Sequence, residues 1–346
     1  MKLRRRLTDT ERKQLGAPSL RLFASIDLEG STAFKQTLAN RQNRTWLSVV
    51  LNFVDTFEQS YWQHIGTQAL DVAKTTSPKQ PRLWKILGDE LVFAMEIKRP
   101  VDAAIYIDAL AAAIKEWNRL VLAQRKNPPA LPERPLLVKG AAWLAGFPVN
   151  NAVLPIAGNH HDYIGPSMDT GFRLARLASP RRLALAVELA WLLLDLDSSR
   201  QIEFAGRTRE LKGVAADSGY PQLWIEVAAS EYHAKEHQVL KQRRCDLPGA
   251  DLRDLCASFI RDFGVPPDLP HIPGDKTYTP PPGYQESLRG AHEDLATRYL
   301  PLLTPAEIKV DKKTKAVLPD ALMATMEAEL KDAARPSPPS PGKENV

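Results

Sequence analysis

Two cysteines in 346 residues, Cys245 and Cys256, are too few for a disulfide framework or a Cys-based zinc site. Apolar runs of membrane-spanning length are also missing. The longest helical-looking run, LALAVELAWLLLDLD, is short of the ~20 residues a bilayer needs and carries acids. The N-terminal MKLRRRLTDTERK is basic, but no apolar core follows it, so no secretion signal is expected. These absences lead to the expectation of a cytoplasmic protein. Helix-turn-helix and zinc-finger patterns are lacking too, as is any internal repeat, and nucleic acid is not an expected partner. What is present suits a folded chain of one large or two ordinary domains, with 44% hydrophobic and 25% charged residues. The formal net charge of +5 fits a polyphosphate ligand as well as a nucleic acid, and the Arg4–Arg6 run reads as a solvated tail.

LRLFASIDLE reads as a buried strand. Apolar residues then recur at helical spacing from Thr32 to about Gln63, among them Phe34, Leu38, Leu47, Val50, Val54, Phe57 and Tyr61. RLWKILGDELVFAMEI is a hairpin by pattern, turning at Gly88-Asp89. Residues 101–124 form an Ala-rich helix, PLLVKGAAWLAG a strand, and GFPVNNAVLPIAGNHHDYIG a loop. Residues 166–178 read as helical, RRLALAVE as a strand running into the helix AWLLLDL, and IEFAGRTRELKGV and PQLWIEV as closing strands. This order predicts an α+β fold with helices on a mixed, mainly antiparallel sheet. From about residue 230 the chain turns to charged helical stretches and a proline-dense segment, and RPSPPSPGKENV reads as a disordered tail. The expected organisation is a basic tail at 1–17, a catalytic domain at 18–229, a helical and Pro-rich extension at 230–333 and a tail at 334–346.

Three segments carry candidate chemistry. Asp27 ends the first strand, before the small-residue turn Gly30-Ser31-Thr32. That pattern suits a metal-bound phosphate, and equally an ordinary strand–helix turn. Asp89 sits at the hairpin turn, where Asp is common on turn grounds alone. If the strands are neighbours, two carboxylates meet, a costly arrangement unless divalent cations bind between them. In DYIGPSMDTGFRLARLASP, Asp169 and Arg173 are four apart on one helical face. They suit an i,i+4 ion pair or, through the guanidinium fork, a phosphate contact.

LFASIDLEGSTAFK, WKILGDELVFA and DYIGPSMDTGFRLARLA resemble the three signature regions of class III nucleotidyl cyclases, in the same order. LKGVAADSGYPQLWIEV is similar to that domain's closing strand pair. The likeness spans roughly residues 18–228 and is greatest to the pyrimidine cyclases of bacterial anti-phage (Pycsar) systems. It implies a ferredoxin-like catalytic core in a homodimer with sites at the interface. Asp27 and Asp89 are then the ligands of two divalent cations, Mg²⁺ or Mn²⁺. Lys85 and Asp162 recognise the base, Arg173 is the transition-state arginine, and Lys212 contacts the triphosphate with Gly30, Ser31 and Thr32. Asp169 falls where many members carry a ribose-orienting Asn, and a carboxylate accepts from a ribose hydroxyl but cannot donate. The implied reaction is attack of the ribose 3′-hydroxyl on the α-phosphate of a nucleoside triphosphate, with pyrophosphate leaving. One metal would lower the hydroxyl's pKa, and the other would hold the β- and γ-phosphates. UTP is the substrate favoured by the resemblance, giving cyclic UMP (cUMP), a second messenger for a cyclic-nucleotide-activated effector in antiviral defence.

The residues do not choose a base, because Lys85 donors and Asp162 acceptors match all four. Trp84 and Tyr163 flank that pair, either narrowing a pocket or packing in the core. His233 and His237 read as a polar helix face, and His160-His161 as a solvated loop. An adenylate or cytidylate cyclase and a non-catalytic nucleotide-binding module are the alternatives. A sugar-kinase or actin-like ATPase would need a second Asp-Gly-Gly-type turn, which is missing. LGDEL likewise departs from the Gly-Gly-acidic-acidic-Phe pattern of diguanylate cyclases.

Overall fold

The computed structural model describes residues 15–37, 44–73, 80–124, 136–156, 160–209, 211, 213–214, 219–227, 232, 235, 238–239, 248–264 and 268–299. Lys212, His233, His237 and both terminal segments lie outside these residues.

The first strand, β1 (Ser19–Leu28), is the apolar run SLRLFASIDL and is buried along nearly its whole length. It lies between β3 (Glu90–Ile97) and β4 (Val138–Phe147), antiparallel to both. β3 pairs in turn with β2 (Arg82–Leu87) through the Gly88-Asp89 turn, where Gly88 takes a φ of 74° that side chains disfavour. Two long helices connect these strands, α2 (Thr45–Ala73) and α3 (Pro100–Gln124), after a short α1 (Ser31–Gln36). The order β2-β3-β1-β4 in a βαββαβ chain is the ferredoxin-like arrangement. The sheet continues through β7 (Arg182–Leu185), parallel to β4, then β9 (Tyr220–Glu226) and β8 (Glu203–Thr208). The fold is thus α+β on a mainly antiparallel sheet, as the element order predicted.

Side-chain alternation gives the sheet two unlike faces. Leu22, Ala24 and Ile26 of β1 are fully buried and point to one side. There α2 contributes Val50, Phe53, Phe57, Tyr61, Ile65 and Ala69 at helical steps of three and four. Each large apolar side chain so buried stabilises the fold by about 1.5–3 kcal/mol relative to exposure. Phe23, Ser25 and Asp27 alternate to the other side, which carries the site. Here α4 (Pro166–Leu174) lies on Trp143 of β4 so closely that a Cβ on Gly171 would come within 2.1 Å of the indole, and only glycine fits.

Among the described residues the helical period from Thr32 to Gln63 falls on two helices, as the element order expected. α1 stops at Thr37, whose extended backbone (ψ 146°) ends the hydrogen-bond ladder, and α2 starts at Thr45 and runs ten residues past Gln63. Hydrophobic period alone carries no mark of a break. The segment read as a loop before Gly165 contains a hairpin, β5 (Ala152–Ile156) with β6 (His160–Ile164). The expected loop is thus corrected: the strand holds Pro155 because a two-stranded sheet has edges on which proline is tolerated.

Helix α5 (Val187–Leu196) is buried on nearly every side. Helix α6 (Gly249–Phe263) covers it with Leu252, Cys256, Ala257, Phe259 and Ile260. The proline-dense stretch after α6 also packs inward, with Tyr278 edge-on to Trp191 and donating to Asp195 at 2.9 Å. Helix α7 (Tyr284–Asp294) follows, and His292 bonds the Gly16 carbonyl at 2.7 Å.

Candidate functional site

Antiparallel register assembles the first part of the site. At the end of β1, Asp27 is paired across the sheet with Glu90 on one side and Lys139 on the other. Directly opposite residues on one face are the natural contacts of a sheet. Lys139 Nζ lies 3.4 Å from Asp27 Oδ2, and Ser25 donates a hydrogen bond to Glu90. The hairpin turn brings Asp89 beside Asp27, within hydrogen-bond reach. Gly30 turns the chain into α1 with a φ of 80°, and Ser31, buried, donates to Asp89. From the far end of that helix Lys35 Nζ reaches Asp89 Oδ1 at 2.5 Å.

These contacts set opposite acidities on adjacent acids. Burial pushes the Asp27 carboxyl up to about 6; Lys139 opposes this, while Asp89 and Glu90 add to it. Asp89 is also raised by burial, but its bonds from Lys35 and Ser31 and the Lys35 charge bring it below the usual carboxylate range. Two carboxyls close enough to share a proton are what a divalent cation replaces that proton between. Among the described residues no group of three or more His, Cys, Asp or Glu forms a metal cage. A pair of hard oxygen ligands fits Mg²⁺ or Mn²⁺, which complete their coordination with water and substrate phosphates. The donor set therefore fits the implied metals.

The second part comes from β2 and β6. A bulge between Leu83 and Lys85 leaves Trp84 without a ladder partner. Its Nε1 donates to the His161 carbonyl at 2.8 Å, which ties β2 to β6. Lys85 and Asp162 consequently meet at 2.6 Å, and the Lys85 ammonium sits 4.4 Å from the Trp84 ring centroid. Trp84 packs 4.9 Å from Tyr163 and 5.5 Å from Phe23, and Phe23 stacks on Trp143 at 5.7 Å. The two aromatic neighbours of the pair thus belong to a packed cluster. His161 contributes its carbonyl to the frame, a role no motif announced.

The third part is α4. Asp169 and Arg173 line a cavity of about 340 Å³ with Glu188, Tyr220, Phe259 and Phe263. Gly213, next to the undescribed Lys212, has its Cα turned toward Arg173, so a Cβ there would lie 3.1 Å from Nη1. Among the described contacts none joins Asp27 or Asp89 to Lys85 or Asp162, and Asp169 and Arg173 line a cavity with other residues.

Lys35, Lys139 and Glu90 were missed in the motifs. Lys139 had a signal as the lone charge in the apolar strand VKGAAWLAG, and Lys35 as the cation following the Gly-Ser-Thr turn on α1.

No family model matches the chain, and no curated protein does. Solved structures with a similar course of the chain include the adenylyl cyclase CyaB from P. aeruginosa, at 14% identity and a TM-score of 0.41 over 62% of this chain and 97% of that one. The guanylate cyclase domain of RhGC from Catenaria anguillulae, in complex with GTP, gives 10% identity and a TM-score of 0.40 over 62% and 100%. A Trypanosoma brucei adenylate cyclase gives 16% and 0.38 over 62% and 91%. At these scores the likenesses assign neither an activity nor a substrate.

Proposed function

We propose that this chain is a metal-dependent nucleotidyl cyclase of the class III type that converts UTP to cUMP and pyrophosphate. The observation that carries it is the pair of Asp27 and Asp89, held within hydrogen-bond reach at the strand end beside the Gly30–Thr32 turn. Asp27 and Asp89 would hold two divalent cations. When bound, these supply acidity to the ribose 3′-hydroxyl and neutralise phosphate charge. Lys85 and Asp162 take the base edge, one donating and one accepting. Asp169 accepts from a ribose hydroxyl, and Arg173 stabilises charge at the α-phosphorus as the 3′-oxygen bond forms and the bond to the β-phosphate oxygen breaks. Lys212 and the Gly30, Ser31 and Thr32 turn contact the triphosphate. Helix α1 has six residues, so the turn's backbone and its cations matter here more than a helix dipole.

The homodimer follows from the motif resemblance, in which a site is shared between two copies. The carboxylate pair of one copy would face Lys85, Asp162, Asp169 and Arg173 of the other. Ile86 and Leu87 at the end of β2 and Ile164 at the end of β6 are exposed apolar residues suited to such an interface. Among the described residues no helix is long and apolar enough to cross a membrane. The choice of UTP, and of an anti-phage role through an effector that binds the cyclic product, is carried by the motif resemblance. The test is incubation with each of the four nucleoside triphosphates and Mn²⁺ or Mg²⁺, with products identified by mass spectrometry. The expected result is cUMP from UTP in excess of any other cyclic product. Equal turnover of ATP and UTP would remove the pyrimidine assignment, and no cyclic product from any of the four would remove the enzyme.

A further inference from the structure

The carboxylate pair is neutralised by two lysines that reach it from different elements. Lys139 belongs to β4 and is fixed opposite Asp27 by the sheet ladder. Lys35 belongs to the short α1, on the same segment as Gly30, Ser31 and Thr32, and its ammonium occupies an oxygen of Asp89 at 2.5 Å. Both partners of that contact are largely shielded from water, the side chains being 25% and 13% exposed. A lysine ammonium and a divalent cation on one small carboxylate repel each other. The lysine and a cation therefore compete for Asp89. The lysine has a flexible four-carbon stem, and leaving Asp89 requires another acceptor for its charge. A triphosphate seated along the Gly30–Thr32 turn supplies that acceptor.

We propose that Lys35 is the counterion a divalent cation displaces from Asp89, and that it then contacts the terminal phosphates of the substrate. Metal and triphosphate consequently bind as a cooperative pair, each favouring the other. This deepens the cyclase assignment and rests on it for the identity of the triphosphate. Lys35 offsets the charge of Asp89 as Lys139 offsets that of Asp27. Once the triphosphate arrives, its phosphates take the lysine and free Asp89 for the cation.

The experiment measures Mn²⁺ binding to the full chain by electron paramagnetic resonance of the free ion, without nucleotide and then with a non-cyclising UTP analogue. Lys35→Met keeps the stem and removes the charge. Without nucleotide, Lys35→Met should bind Mn²⁺ on the order of tenfold tighter than the unaltered protein. With Mn²⁺ present, it should bind the analogue about tenfold more weakly, so that the coupling between the two ligands collapses. Lys35→Arg should retain the coupling. Unchanged or weaker Mn²⁺ binding by Lys35→Met, in protein with an unaltered circular dichroism spectrum, overturns the proposal. Failure of the cyclase assignment shows separately: the unaltered protein then makes no cyclic product from any nucleotide, while the Mn²⁺ gain in Lys35→Met remains.

Discussion

The Lys85–Asp162 pair and the Asp27–Asp89 pair are both charged clusters beside the aromatic face of the sheet, and they are built in opposite ways. Lys85 and Asp162 meet because Trp84 ties β2 to β6 and packs with Tyr163 and Phe23, so apolar surface and one hydrogen bond set their positions. Asp27 and Asp89 meet because of sheet register and a hairpin turn, and two lysines offset their repulsion. The first pair is framed by packing and suits a fixed recognition task. The second is held by exchangeable charges and suits a site whose occupant changes.

The comparison breaks most visibly at the carboxylates. Asp89→Ala or Asp27→Asn should lower cUMP formation by at least about 100-fold with the fold retained, read by mass spectrometry beside circular dichroism. A retained rate would mean that the pair binds no cation needed for the chemistry. Next in size is the aromatic frame. Trp84→Ala should destabilise the protein by about 2–4 kcal/mol in urea unfolding and also raise KM for UTP. If stability falls while KM holds, the frame does not position the base pair. Removing only the charges of that pair is milder. Lys85→Met or Asp162→Asn should raise KM about tenfold with a smaller change in kcat, because a lost base contact weakens ground and transition state alike.

The smallest effect concerns Glu188, in the cavity with Asp169 and Arg173. Burial pushes its carboxyl above the usual range, against the bond from its own backbone N–H. The unfolded chain ionises first, in the ordinary carboxylate range, so stability falls as pH rises from there to the folded pKa and stays reduced above it. Glu188→Gln should therefore raise Tm by about 2 °C or more at pH 7 and leave it nearly unchanged at pH 4. An equal gain at both pH values would assign the effect to packing instead of charge.

Much of the fold was legible in the sequence. The β1 run, the Gly-Asp hairpin and the two helical periods each follow from local pattern. The place of the break at Thr37 and the β5–β6 hairpin were not legible, since one lacks a periodicity signal and the other lies in a segment rich in turn residues. In the site, residues inside motifs were legible: Asp27 and Asp89 are neighbours as the strand pairing required, and Lys85 meets Asp162. The lysines on the carboxylates were not, because Lys139 reaches Asp27 through strand register and Lys35 reaches Asp89 across 54 residues of chain. Packing also decided the place of Trp84 and Tyr163, which residue types left open.

A mixing experiment tests the divided site most directly. Asp89→Ala and Arg173→Ala are each prepared and assayed for cUMP, then co-expressed and assayed again. Each variant alone should be inactive, and the mixture should recover about a quarter of the unaltered rate, since half of the dimers are hybrids with one complete site. No recovery from variants that fold and form mixed dimers would contradict a site shared between two copies.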